Sequence, residues 1–150
     1  MSDLVLIQQQ DFSVSEHYQA MVDHNTSAGA VVFFVGRVRD INEHQQVTGL
    51  FLEHYPGMTE KTLHEIIHTA RQRWPLEQVR IIHRVGALKV SDQIVFVGVS
   101  SAHRQAAFQA CEYLMDFLKT KAPFWKKETG KDGDQWLDAR SSDDDAMNRW

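Results

Sequence analysis

Gln93-Ile94-Val95-Phe96-Val97-Gly98-Val99-Ser100-Ser101-Ala102-His103-Arg104 is the stretch that decides the fold. Up to Ser100 it is nearly all apolar, as a strand buried on both faces requires. The period then changes. Between residues 102 and 121, Ala107, Cys111, Leu114 and Leu118 repeat at i, i+4, i+7 and i+11, one stripe of a long helix that Ala122-Pro123 stops. A buried strand feeding an amphipathic helix describes a sheet with a helix laid on it. Residues 78–85 form a second strand, joined to the first by a loop around Gly86 and Ser91-Asp92. Before them, Leu63, Ile66, Ile67, Ala70 and Trp74 mark one face of a helix over residues 58–74, ended by Pro75. Residues 30–35 read as a buried strand leaving at Gly36-Arg37-Val38-Arg39. After a polar loop, residues 47–55 alternate into another strand that Pro56-Gly57 terminates, which predicts a hairpin. A modest helix over 14–24, capped by Ser13, precedes these elements, and 124–136 is short, mixed and β in character. Interleaved strands and helices with a hairpin predict an α+β fold.

The 150 residues, 43% hydrophobic and 24% charged, suit one domain over 1–150 that buries its own core. No internal repeat or linker divides it. The segment 141–150 is polar except for Ala146, Met147 and Trp150, a composition expected of a mobile tail that docks on something. A net charge of −4 and a pI near 6.0 argue against a general nucleic-acid coat, which needs a basic excess. The first ten residues hold too short an apolar run for a secretory leader. No apolar stretch reaches the roughly 20 residues a membrane helix needs. Cys111 stands alone, so no internal disulfide forms, and a reducing cytoplasm is the expected compartment.

Four groups of residues carry chemistry. His64-Glu65-Ile66-Ile67-His68 matches the zinc-protease helix motif, but the apolar stripe through Leu63 and Ala70 turns both histidines and Glu65 toward solvent, so no metal site is expected. At Ser100-Ser101-Ala102-His103-Arg104 a strand becomes a helix, and the unpaired N–H groups of the helix start favour an anion. His103 and Arg104 add donors, and the alternative is that Ser100 or Ser101 caps the helix over a solvated basic pair. Arg37 and Arg39 leave their strand on one side and, joined by Arg104, would grip a phosphate; scattered surface arginines are the plainer alternative. Lys119-Thr120-Lys121-Ala122-Pro123-Phe124-Trp125-Lys126-Lys127-Glu128 places two aromatics between lysines, either as the wall of a pocket or as core beside a solvated charge run. Cys111 lies on the apolar stripe of its helix and reads as a buried hydrophobe, not a sulfur nucleophile.

Gly36-Arg37-Val38-Arg39, Leu52-Glu53-His54-Tyr55-Pro56-Gly57-Met58, Ser101-Ala102-His103-Arg104 and the lysine segment from Lys119 to Glu128, in that order, resemble the large subunit family of molybdopterin synthase. The resemblance runs from about Phe12 to Trp150. It implies an α/β hammerhead fold with a mixed or antiparallel sheet and a small additional β subdomain. It also implies a homodimer within a heterotetramer, each large subunit binding a small sulfur carrier with a C-terminal Gly-Gly thiocarboxylate. The implied reaction is sulfur transfer to a cyclic pyranopterin monophosphate, forming the dithiolene of molybdopterin without cofactor, metal, nucleic acid or membrane. By the same resemblance Arg39, His103 and Arg104 bind the anionic end of the substrate, with Arg37 and Val38 flanking. Lys119 and Lys126 are the active-site lysines, Lys127 and Glu128 line the same region, and Phe34 and Arg140 are further candidates. A non-catalytic dimeric module binding anions or nucleotides, and a zinc hydrolase built on His64 and His68, are the alternatives kept.

Overall fold

A computed structural model of the chain describes residues 3–138 and 141–150. The elements run β1 (Asp3–Gln8), α1 (Val14–Val22), β2 (Ala30–Arg37), β3 (Ile41–Asn42), β4 (Gln45–His54), α2 (Met58–Arg73), β5 (Val79–Arg84), β6 (Gly86–Lys89), β7 (Gln93–Ser101), α3 (Arg104–Lys121), β8 (Phe124–Gly130), β9 (Gly133–Leu137) and α4 (Ser141–Asn148). They build the expected α+β fold from two sheets. The first has the order β1-β5-β7-β2, with β1 parallel to β5 and the remaining pairs antiparallel. The second runs β3-β4-β8-β9, with β6 on the other side of β4.

Strand alternation divides the first sheet into two faces. Val79, Ile81, Val95, Val97 and Val99 point into the main core beneath α2 and α3, where Leu63, Ile67, Ala110, Leu114 and Leu118 meet them. Ile82 and Phe96 point the other way and meet Phe12 and Met21. Each fully buried Leu or Ile side chain contributes on the order of 1.5–3 kcal/mol, so these two layers hold the sheet in place.

Two expectations are corrected, and one unread segment proves to be a strand. Residues 30–35 and 47–55 are not a hairpin: β2 pairs with β7, and β4 pairs with β6 and β8 in the other sheet. The break lies at Gly36/Arg37, where the β2 register shifts. Beyond it Val38 exchanges backbone hydrogen bonds with the 91–92 turn, its N–H donating to the Asp92 carbonyl at 2.9 Å and its carbonyl accepting from Ser91 at 2.8 Å. The loop around Gly86 contains β6, which joins the sheets by carrying the chain from β5 across to β4. The segment ahead of Phe12 is a strand, β1, held by parallel pairing with β5 and by Arg71, which donates to Asp3 at 2.5 Å.

Gly57 earns its identity at the start of α2. Its φ of +84° is left-handed, and its N–H donates to Glu60 Oε1 at 3.1 Å, closing the first turn. At the other terminus α4 lies along α3. Trp150 packs edge-on against Trp74 and Tyr113, its indole N–H donates to Asp116 Oδ2 at 2.6 Å, and Arg73 donates to its carbonyl. Among the described residues no helix is long and apolar enough to cross a membrane.

Candidate functional site

The antiparallel pairing of β2 with β7 decides which candidate residues can meet. Arg37 lies opposite Gln93 at the start of β7, whereas Ala30 lies opposite Ser101 at its end. α3 then runs back along the sheet from Arg104 to Lys121. The last turn of α3 therefore returns to the Gly36 end of the sheet. His103 and Arg104 stay at the far end, roughly 22 Å from Lys119 along the helix axis at 1.5 Å per residue. The chain alone does not bring Arg104 to Arg37 and Arg39.

At the Gly36 end, residues 37–41 border an open cleft of about 700 Å³, with Glu43, His44, Val90 and Ser91 opposite. Arg37 and Arg39 are exposed there, and Arg37 Nε donates to the Ser91 carbonyl at 3.3 Å. Val38 between them is buried and packs with Leu52 and Leu88. Leu52 is the register partner of Lys126, and Leu50 that of Glu128. This tie sets the arginine segment beside the inner face of β8. Asn42 strengthens it, its Nδ2 donating to Glu128 Oε2 at 2.8 Å.

Alternation along β8 separates the two neighbouring lysines. Phe124, Lys126 and Glu128 share the face toward Leu50 and Leu52, whereas Lys127 sits over the rings of Phe51 at 5.2 Å and Trp136 at 5.5 Å on the other face. Lys127 is thus held as a cation between two aromatics, away from Lys126 and Glu128.

Lys119 is exposed in the last turn of α3, and a tight connection takes the chain from there into β8. Buried Thr59 donates its hydroxyl proton to the Pro123 carbonyl at 3.0 Å and accepts from the Tyr55 N–H at 3.0 Å. His83, inward-facing on β5, stacks on Phe124 with ring centroids 3.9 Å apart and planes 17° apart. Burial drives the His83 imidazole down to about 3, and the nearby charges of Lys126, Lys119 and His54 push the same way. Its Nδ1 lies 2.8 Å from the Arg84 carbonyl, which can only accept, so the proton is on Nδ1. His83 is therefore a neutral group beside both lysines. Its signal in the sequence is a titratable residue at the third inward position of an apolar strand.

Two serines are reassigned. Ser100 Oγ accepts from the Gln78 N–H at 3.0 Å and Ser101 Oγ donates to the Pro75 carbonyl at 2.6 Å, so neither caps α3. The N-cap is His103, without a side-chain cap bond. The helix start thus presents its N–H groups together with exposed His103 and Arg104. Arg104, Phe108, Met115 and Lys119 repeat at helical spacing along one stripe of α3. Phe108 is 60% exposed and Phe34, on the neighbouring edge strand β2, is 42% exposed. Cys111 is buried, its thiol pushed up to about 12 chiefly by burial. His64, Glu65 and His68 are exposed on α2. Arg140 lies outside the described residues.

These features define an α+β protein with a polar cleft, lined by Arg37 and Arg39 together with Asp40 and Glu43, at one end of its first sheet and two lysines flanking a helix-to-strand joint. Residues 7–121 match the family model described as MoaE protein, and the chain belongs to that family. It is 57% identical over 150 residues to a protein of Vibrio cholerae named molybdopterin synthase catalytic subunit, covering 100% of this chain and 99% of that one. Among solved structures, the molybdopterin biosynthesis MoaE protein of Burkholderia ambifaria matches with a TM-score of 0.85 and 50% identity, over 99% of this chain and 98% of that one. The molybdopterin synthase structure from Staphylococcus aureus matches with a TM-score of 0.82 and 36% identity, over 89% of this chain and 96% of that one.

Proposed function

We propose that this chain is the catalytic subunit of a cytoplasmic molybdopterin synthase, moving sulfur from the C-terminal thiocarboxylate of a small Gly-Gly carrier onto cyclic pyranopterin monophosphate. The observation that carries this reading is that Lys119 and Lys126 flank the joint between α3 and β8 and both act electrostatically on His83 there, with Glu128 on the same face of β8 as Lys126. A Gly-Gly tail has no side chains to exclude it from a narrow approach to that joint. The carrier sulfur bonds to a side-chain carbon of the pyranopterin as a C–O bond at that carbon breaks. The oxygen leaves with the cyclic phosphate at one of the two carbons and as water at the other. Water then attacks the carrier acyl carbon. The acyl C–S bond breaks, leaving sulfur on the pterin and a carboxylate on the carrier. Lys119 stabilises the oxyanion formed as water adds, and Lys126 holds the pterin or hands on a proton. A second carrier repeats the transfer at the adjacent carbon as the cyclic phosphate opens.

The anion-binding half comes from a second copy of the chain. β2 is an edge strand, and it and α3 expose Phe34 and Phe108 on neighbouring surfaces, an apolar strip suited to a homodimer. A two-fold axis through that strip reverses α3. The partner's His103 and Arg104 then stand at the Lys119 end, beside Arg37, Val38 and Arg39, where they complete the grip on the substrate phosphate. The test is to mix the protein with thiocarboxylated carrier and pyranopterin substrate and look for the dithiolene product by mass spectrometry. Product with wild type that collapses with Lys119→Ala supports the reading; no product, with carrier and substrate proven competent by another synthase, overturns it.

A further inference from the structure

We infer that His83 and Thr59 are positioning residues for the Lys119 and Lys126 pair, clamping the connection between α3 and β8 at two consecutive residues, Phe124 and Pro123. This rests on the function proposed above. Lys119 lies two residues before the end of α3 and Lys126 is the third residue of β8, so the path of residues 122–124 sets the separation and direction of the two ammonium groups. That path has little regular hydrogen bonding of its own. Pro123 has no N–H, the Phe124 N–H donates to the Ala122 carbonyl at 2.9 Å, and regular pairing with β4 begins only at Phe124, opposite His54.

What fixes it comes from elsewhere in the fold. Thr59, fully buried at the start of α2, holds the Pro123 carbonyl while its oxygen receives the Tyr55 N–H, so the hydroxyl is used in both directions. His83 holds the next residue by its ring, stacked on Phe124. The bond from Nδ1 to the Arg84 carbonyl locks the imidazole plane and leaves the lone pair on Nε2. A phenyl ring would stack as well, but it would offer neither the lock nor the lone pair. A charged ring would repel both lysines. The choice of histidine here, in a strand whose other inward residues are Val79 and Ile81, is thereby explained by the site and not by the core.

The experiment compares His83→Phe, His83→Gln, Thr59→Val and Thr59→Ser in steady-state sulfur transfer with thiocarboxylated carrier and pyranopterin substrate, alongside thermal melts. Positioning predicts that His83→Phe and Thr59→Val lower kcat by about ten- to a hundredfold, because small misplacements of catalytic groups are costly. KM for both substrates should stay within about twofold of wild type, since ground-state binding at the arginines is untouched. Thr59→Ser should recover most of the loss at that position, whereas His83→Gln, which lacks the ring that stacks on Phe124, should lose at least as much as His83→Phe. Wild-type kcat in both His83→Phe and Thr59→Val overturns the inference while leaving the proposed function standing. So does a loss of kcat that tracks the fraction unfolded in the melts. Absence of turnover in the wild type overturns the function and the inference with it.

Discussion

Lys126 and Lys127 are neighbours in sequence and lie on opposite faces of β8: Lys126 faces inward with Glu128, and Lys127 sits between Phe51 and Trp136. Their substitutions should therefore separate. Lys126→Ala should lower kcat on the order of 10²- to 10⁴-fold, the usual loss for a group that transfers a proton. Lys127→Ala should leave kcat within a few-fold of wild type and cost about 0.5–1 kcal/mol of stability through the lost cation–π contacts. Steady-state kinetics and urea denaturation of the two variants check this, and equal losses of kcat would contradict the facial separation.

The buried neutral imidazole of His83 makes stability depend on pH in a defined window. With a folded value of about 3 against an ordinary value near 6.5, the unfolded chain binds a proton that the folded chain does not between those limits. Stability from this group is fully present above about pH 6.5 and falls by about 1.4 kcal/mol per pH unit as pH drops toward 3. His17, lowered by burial and by Arg80, acts in the same direction. His83→Phe removes one proton from the linkage, so the stability gap between wild type and variant should change along this slope between pH 6.5 and 4.5. Parallel pH profiles from urea denaturation would contradict it.

Cys111 should take no part in sulfur transfer. Its burial and its thiol pushed up to about 12 leave almost no thiolate at neutral pH. Cys111→Ala should turn over at close to the wild-type rate, and the native thiol should react with a disulfide reagent only after denaturant is added. Rapid labelling of the folded protein, or loss of turnover in the variant, would contradict this.

Trp150 should matter for stability more than its terminal position suggests. It closes an aromatic cluster with Trp74 and Tyr113 and bonds to Asp116. Trp150→Ala should cost about 2 kcal/mol, less than the roughly 3–5 of a fully buried tryptophan because the ring is only partly covered. Urea denaturation checks it, and a change under about 0.5 kcal/mol would show that the cluster holds without it.

The long periodic elements were legible because their partners lie within their own pattern. Leu63, Ile67 and Ala70 announce α2, and the apolar run of β7 announces its burial on both faces. β1 and β6 were not legible for a physical reason. Asp3–Gln8 is a strand only because β5 lies parallel to it far along the chain, and Gly86–Lys89 only because β4 reaches across from the other sheet. The mistaken hairpin has the same origin, since nothing in residues 36–46 shows that Val38 turns to bond with residues 91 and 92. At the site, the residues carried by motif resemblance were named in advance. His83, Thr59 and Asn42 were not, because a buried histidine, a helix-start threonine and a loop asparagine become informative only beside Phe124, Pro123 and Glu128. The separation of Arg104 from Arg39 likewise needs the antiparallel register of β2 and β7 to be seen.

The most direct measurement is complementation between two inactive variants. Arg104→Ala and Lys119→Ala, each inactive alone, are dissociated, mixed in equal amounts, reassociated and assayed with thiocarboxylated carrier and pyranopterin substrate. If each site takes its lysines from one copy and its anion grip from the other, half of the random dimers hold one intact site, and about a quarter of wild-type turnover should return. A mixture that forms mixed dimers and stays inactive would contradict a site shared between two copies.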